Sequence, residues 1–126
     1  MCIPAGGSGW LAVADENNRR VQVLSLTGQV IRVLAGANGL GQLSLSLCGI
    51  TVCVDAQGDS ELLVADTGNH RVVAFRLDGR AARVVCGTGR KGRGAGELNY
   101  PAGLAVTATG DLWVVEDSNH RVSWFR

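Results

Sequence analysis

Three segments of this chain are versions of one another. LAVADENNRRVQVL (11–24), LLVADTGNHRVVAF (62–75) and LWVVEDSNHRVSWF (112–125) align without a gap. Asp15, Asp66 and Glu116 correspond, as do Asn18, Asn69 and Asn119, and then Arg20, Arg71 and Arg121. A second block recurs between them, TVCVDAQG (51–58) returning as GLAVTATG (103–110). A repeat of about 50 residues constrains the fold more than any local pattern, because such a unit buries its apolar surface mainly by stacking on its neighbours.

Within each unit the apolar residues have strand periodicity. Ala12-Val13-Ala14, Leu63-Val64-Ala65 and Trp113-Val114-Val115 are short continuous apolar runs, the signature of a strand covered on both faces. In the strand that follows, Val21, Val72 and Val122 share one side and Leu24, Phe75 and Phe125 the other. Turn pairs such as Thr27-Gly28 and Asp78-Gly79 separate the strands, and Gly is abundant at 18 residues against 2 Pro. Naming the strands of a complete unit A to D, the second unit has all four, at 51–54, 62–65, 71–76 and 81–86. The first shows B, C and D, and the third A, B and C. The unit boundaries fall near 10–36, 49–87 and 102–126, all within one repeat region spanning 1–126.

Four-stranded antiparallel units that are apolar on both faces pack sheet against sheet, as propeller blades do. The residues carry a resemblance as well. VADTGNHRVVAF (64–75), followed by a glycine-rich loop and then GELNYPAGLAV (96–106), resembles the NHL-repeat family of β-propellers, including the NHL repeats of tripartite-motif proteins. The first unit departs from that pattern with Arg19 at the motif His, and the third with Glu116-Asp117-Ser118. Ten strands make about two and a half blades, too few to close a ring of the usual 4–8. The expected architecture is all-β: a partial propeller, either an open arc or a fragment, whose open edges pair with further blades or another copy.

Strand parity puts the B–C loops (15–20, 66–71, 116–121) and the D–A loop 87–102 on one rim. Loop faces of this kind carry function while the strands are committed to packing. Asp66, Asn69 and Arg71 recur with their counterparts in every unit, which argues for a structural motif: acidic and Asn side chains bonding backbone N–H groups in a tight turn, with Arg donating to carbonyls or a carboxylate. Arg90, Lys91, Arg93, Arg19, His70 and His120 remain as candidate rim contacts. No nucleophile elbow or H-E-x-x-H helix occurs, so no catalytic residues are assigned and the chain reads as a non-enzyme. Cys2, Cys48, Cys53 and Cys86 form no C-x-x-C pair and read as small apolar residues, so no metal or cofactor is expected.

A net charge of +1 gives no global pull toward nucleic acid or a membrane surface, and no apolar run reaches the roughly 18 residues of a membrane span. With no secretory leader and unpaired thiols, a cytoplasmic protein is expected. The resemblance implies a scaffold that binds a protein through its rim loops. A second reading is an RNA-binding NHL module of the ubiquitin-ligase type, with Arg90, Lys91, Arg93, Arg19 and His70 lining a basic rim for phosphates. A third is a piece of a metal-dependent lyase propeller; the two His, both at repeat positions, do not match that family's ligand set.

The loop GTGRKGRGAG (87–96) also satisfies G-x-G-x-x-G at Gly87, Gly89 and Gly92. A dinucleotide fingerprint needs a helix to follow, whereas here Pro101 and Gly103 lead into a strand. Its counterpart GANGLG (36–41) shares the glycines and none of the basic residues. The glycines therefore read as left-handed turns in a linker, and the basic side chains as the separable, binding feature.

Overall fold

The computed structural model describes residues 9–35, 42–54, 57–78 and 82–125. GANGLG (36–41), Gly79 and Cys2 lie outside them. The described chain forms three antiparallel sheets. β1 (Trp10–Asp15), β2 (Arg20–Ser25) and β3 (Val30–Ala35) make the first. β4 (Ile50–Val54), β5 (Ser60–Asp66), β6 (Arg71–Arg76) and β7 (Ala82–Cys86) make the second. The third is β8 (Pro101–Val106), β9 (Leu112–Glu116) and β10 (Arg121–Phe125). Each is an up-and-down meander, and the three make an open arc of propeller blades rather than a closed barrel.

Alternation along the strands determines how the sheets stack. Ala12, Val21 and Val23 of the first sheet are buried against Leu62, Val64, Val73 and Phe75 of the second. The opposite face of the second, with Leu63, Val72 and Ala74, is buried against Leu112, Val114 and Phe125 of the third. Each sheet thus has a leading face, carrying Val21, Val72 or Val122, and a trailing face, carrying Leu24, Phe75 or Phe125. Leading meets trailing at both interior interfaces. The core residues on these faces are mostly apolar because the strands there are covered by the next sheet, which is why the runs read as continuous in the sequence.

The segments between sheets complete the core. Leu43 and Leu47 enter the first interface and Leu98 the second. Pro101 opens β8, a strand position that tolerates the missing N–H. Gly49 has a simple steric reason: a Cβ there would lie 2.2 Å from the carbonyl oxygen of Ala102, where β4 and β8 run close together. Among the described residues, no helix is long and apolar enough to cross a membrane.

Candidate functional site

In every sheet the register places the repeated acidic residue opposite the repeated Arg: Asp15 opposite Arg20, Asp66 opposite Arg71, Glu116 opposite Arg121. Nε of the Arg donates to the carboxylate at 2.7 Å, 2.8 Å and 2.7 Å respectively. The Asn in the connecting turn donates to the same carboxylate, at 3.0 Å from Asn69 to Asp66 and 2.8 Å from Asn119 to Glu116. This is the structural motif indicated by its repetition, but its targets differ from those of a self-contained tight turn. The backbone N–H groups that the carboxylates accept belong to the inter-sheet linkers: Ser44 donates to Asp66 at 2.8 Å and Asn99 to Glu116 at 3.1 Å. Asn69 and Asn119 also donate to linker carbonyls, those of Gln42 and Gly92. In the second and third sheets the motif is therefore a clasp that fastens the sheet to the linker leading into it.

The three motifs differ in depth. Asp66 and Glu116 are buried, whereas Asp15 is open to solvent on the first sheet. The Arg20 guanidinium, helped by the Asn18 amide, holds the Asp15 carboxyl below the usual range. Burial pushes Glu116 up, but hydrogen bonds from Arg121, Ser123 and Asn119 outweigh it and leave the carboxyl lowered. Ser123, where the second sheet has Val73, supplies a hydroxyl that donates to Glu116 Oε2.

Arg19, His70 and His120 all adopt left-handed backbone, with φ of 55°, 53° and 49°. The structure separates them otherwise. His70 is buried; its Nδ1 accepts the Tyr100 N–H at 3.1 Å, and the two rings meet edge to face at 4.5 Å. It packs onto the linker that leads into the next sheet rather than standing free on the rim. His120 is exposed and Arg19 half-exposed.

Burial, then the charge of Lys91, lowers the His70 pKa, with Asp66 opposing. Folded His70 resists protonation, while the unfolded chain takes up a proton near pH 6.5. Stability is then flat above about pH 6.5 and falls as pH drops below it, because the unfolded state binds more protons. Melting between pH 7.5 and 5.5 should show this decline, and His70→Asn, which tolerates left-handed backbone, should flatten it. An unaltered slope in that variant would assign the effect to another group.

The linker 87–100 is held at several points. Arg121 donates through Nη1 to the Arg93 carbonyl at 2.8 Å and through Nη2 to that of Glu97 at 3.0 Å. Gly92 N–H donates to the Leu98 carbonyl at 3.1 Å. Gly87, Gly89 and Gly96 are left-handed, at φ of 92°, 86° and 79°. Gly92 and Gly94 are not; a Cβ at Gly92 would overlap the Glu97 side chain as far back as its own Cβ, so close approach explains that glycine, whereas at Gly94 only the movable carboxylate end lies near. A strand follows the loop, which removes the dinucleotide reading.

Arg90, Lys91 and Arg93 are exposed on this loop, and none forms an ion pair among the described residues. The sequence suggests a rim of mixed sign. The structure shows that Asp15, Asp66 and Glu116 are each matched by their own Arg, so among the described residues Glu97, Glu16 and Asp117 are the acids on that rim without an Arg of this kind. Elsewhere, sequence reasoning missed Glu61, a buried carboxylate that accepts from Arg83 Nη2 at 3.0 Å in a cleft also lined by Cys53 and Val106. Its signal was faint, since one Glu in an apolar strand run looks like a solvent-facing residue. Burial, then the charge of Glu116, pushes the Cys86 thiol up to about 12, as befits an inert packing residue.

A sequence model of the NHL repeat matches residues 98–125, spanning the end of the linker, the clasp and β8 to β10. Residues 98–125 carry an NHL repeat, and the three sheets have the fold of β-propeller blades. Among curated proteins, the chain is 29% identical over 132 residues to Protein SUPPRESSOR OF QUENCHING 1, chloroplastic, of Arabidopsis thaliana, covering 89% of this chain and 12% of that protein. Among solved structures, virginiamycin B lyase from Staphylococcus aureus aligns with a TM-score of 0.57 at 10% identity, over 99% of this chain and 40% of the lyase. The extracellular domain of a putative hybrid two-component system from B. thetaiotaomicron aligns at a TM-score of 0.48 and 17% identity, over 92% of this chain and 17% of that one. This chain therefore spans a minor part of each relative, and the likeness to the lyase speaks to the fold alone.

Proposed function

We infer that this NHL-repeat segment is a non-catalytic interaction module whose D–A rim loop receives an acidic segment of a protein partner. The observation that carries this reading is the partition of charge on the rim. The buried carboxylates there are consumed by the clasps, while Arg90, Lys91 and Arg93 stand exposed and unpaired on a loop fixed by Arg121 and Leu98. A rim whose buried acids and His70 are already bonded has few groups left for acid–base work, which supports binding over catalysis. The same three cations favour a second reading, contact with the phosphates of single-stranded RNA.

Fluorescence anisotropy with an oligo-glutamate peptide and with oligouridylate distinguishes the two. The peptide should bind at low salt and weaken as salt rises. Replacing Arg90, Lys91 and Arg93 together by Ala should weaken it about tenfold, from three exposed charge contacts worth roughly 0.5 kcal/mol each. Preference for the oligonucleotide would move the assignment to RNA, and binding that the triple variant leaves intact would remove the loop from both.

A further inference from the structure

Tyr100 has a left-handed backbone, with φ of 51°, although it is not glycine and Pro101 follows it. A proline disfavours helical conformations in the residue before it and pushes that residue toward extended backbone. Left-handed backbone is also costly for a bulky side chain. Such a conformation persists only where the surroundings hold it.

Two hydrogen bonds hold Tyr100, one from each side of the rim. Its N–H donates to Nδ1 of His70, which ends the B–C turn of the second sheet, at 3.1 Å. Its carbonyl accepts the Asp117 N–H of the third sheet at 3.2 Å. The Tyr100 ring lies edge to face on the buried imidazole while the residue stays 43% exposed to solvent.

The bond to His70 decides where the imidazole can titrate. A ring nitrogen that accepts carries no proton, so the neutral ring has its proton on Nε2. The nitrogen left to take up a proton is Nδ1, the one that holds Tyr100. A proton there sets one N–H against another, and the bond is lost. The new charge acts in the same direction. The ionisable groups around the ring are Asp66 on β5, Arg71 at the start of β6, and Lys91 and Tyr100 from the linker. Lys91 repels an imidazolium, and Asp66, the one acid among them, already accepts from Arg71, Asn69 and Ser44. Burial and Lys91 lower the His70 pKa, which keeps the contact closed at neutral pH. Arg19, the equivalent residue of the first sheet, offers no acceptor nitrogen and cannot make this bond.

We propose that His70 and Tyr100 form a proton-operated latch, which ties the rim of the second sheet to the linker carrying the basic loop and opens when Nδ1 is protonated. Its consequence for a partner rests on the interaction-module reading above. An open latch leaves a further cation beside Lys91, and a freed Tyr100, on the surface that receives the acidic segment.

Once the latch is open, His70 titrates near its usual 6.5, so the open fraction rises about tenfold for each pH unit below that value. Amide hydrogen exchange of the ligand-free 126-residue chain, followed by NMR and corrected for the intrinsic rate, reads that fraction. Between pH 7.5 and 5.5, protection of the Tyr100 N–H should fall about tenfold. The Asp117 N–H, bonded to the Tyr100 carbonyl, should fall with it. At each pH both should be far less protected than the Ala65 N–H, which is buried and bonded to the Gly49 carbonyl. In His70→Asn, Oδ1 takes the place of Nδ1 without titrating, and Tyr100 protection should stay constant with pH. Wild-type protection at Tyr100 that ignores pH overturns the proposal, as does an N–H already unprotected at pH 7.5. Protection equal to that of Ala65 also overturns it, because the contact then breaks only with the whole fold. A fall that persists in His70→Asn assigns the effect to another group and does the same. Failure of oligo-glutamate to bind would remove the partner reading and leave these exchange rates as they are.

Discussion

Asp66→Ala should destabilise the fold by about 3–5 kcal/mol, the usual cost of removing one partner from a buried ion pair. Against a total of roughly 5–15 kcal/mol for a domain, this is a large share, and it should lower the melting midpoint by about 10–20 °C. The cause is what the carboxylate leaves behind. Arg71 Nε, Asn69 Nδ2 and the Ser44 N–H all donate to Asp66, and its side chain is fully inaccessible. Ala strands those donors where little water can replace the acceptor, and it releases the linker from the second sheet as well. The same change at Asp15 should do far less. That pair is solvated, its Arg20 side chain is 36% exposed, and among the described residues no linker N–H donates to it. Urea unfolding of the two variants is the measurement. Similar midpoints for Asp66→Ala and Asp15→Ala would show that the depth of the clasp is irrelevant to its strength.

The contrast between these two positions is also where the sequence stops being informative. Asp15 and Asp66 occupy equivalent places in aligned segments, and alignment alone assigns them the same role. The strands themselves were legible because alternation is a local property: Val21 and Leu24, or Val72 and Phe75, fall on opposite faces whatever surrounds them. Repetition then implied the stacking of one sheet on the next. The target of the Asp66 carboxylate, by contrast, is a backbone N–H 22 residues earlier, placed there by the course of a linker that carries no periodic signal. His70 illustrates the same limit. It packs against Tyr100, 30 residues onward, whereas the equivalent Arg19 is half-exposed and His120 exposed. The rim charges looked mixed for a related reason, since a list of residues does not say which acid is already matched. The glycines divide along this line too: Gly87 and Gly89 turn the chain, while Gly92 makes room for Glu97, a contact visible only in three dimensions.

Leu98→Ala should couple stability to the display of the basic loop. Leu98 is fully buried in the core cluster that holds Leu63, Val72, Leu112 and Val114, so truncation should cost about 2–5 kcal/mol in transfer and cavity terms. Its backbone is the anchor of the loop: its carbonyl accepts the Gly92 N–H, and Leu98 forms an isolated parallel bridge with Lys91. Weakening the anchor frees a segment that carries three trypsin-sensitive positions, Arg90, Lys91 and Arg93. Under native conditions cleavage there requires local opening, which tracks the free energy holding that segment down. Leu98→Ala should therefore speed tryptic cleavage at this loop by more than it speeds cleavage elsewhere in the chain, read by mass spectrometry of the first fragments. Arg121→Ala should speed cleavage at the same loop through a different route, by removing the donors to the Arg93 and Glu97 carbonyls. If Leu98→Ala lowers the melting point but accelerates every site equally, the loop opens only with the whole fold, and the basic residues are displayed by the linker's other tethers rather than by its buried leucine.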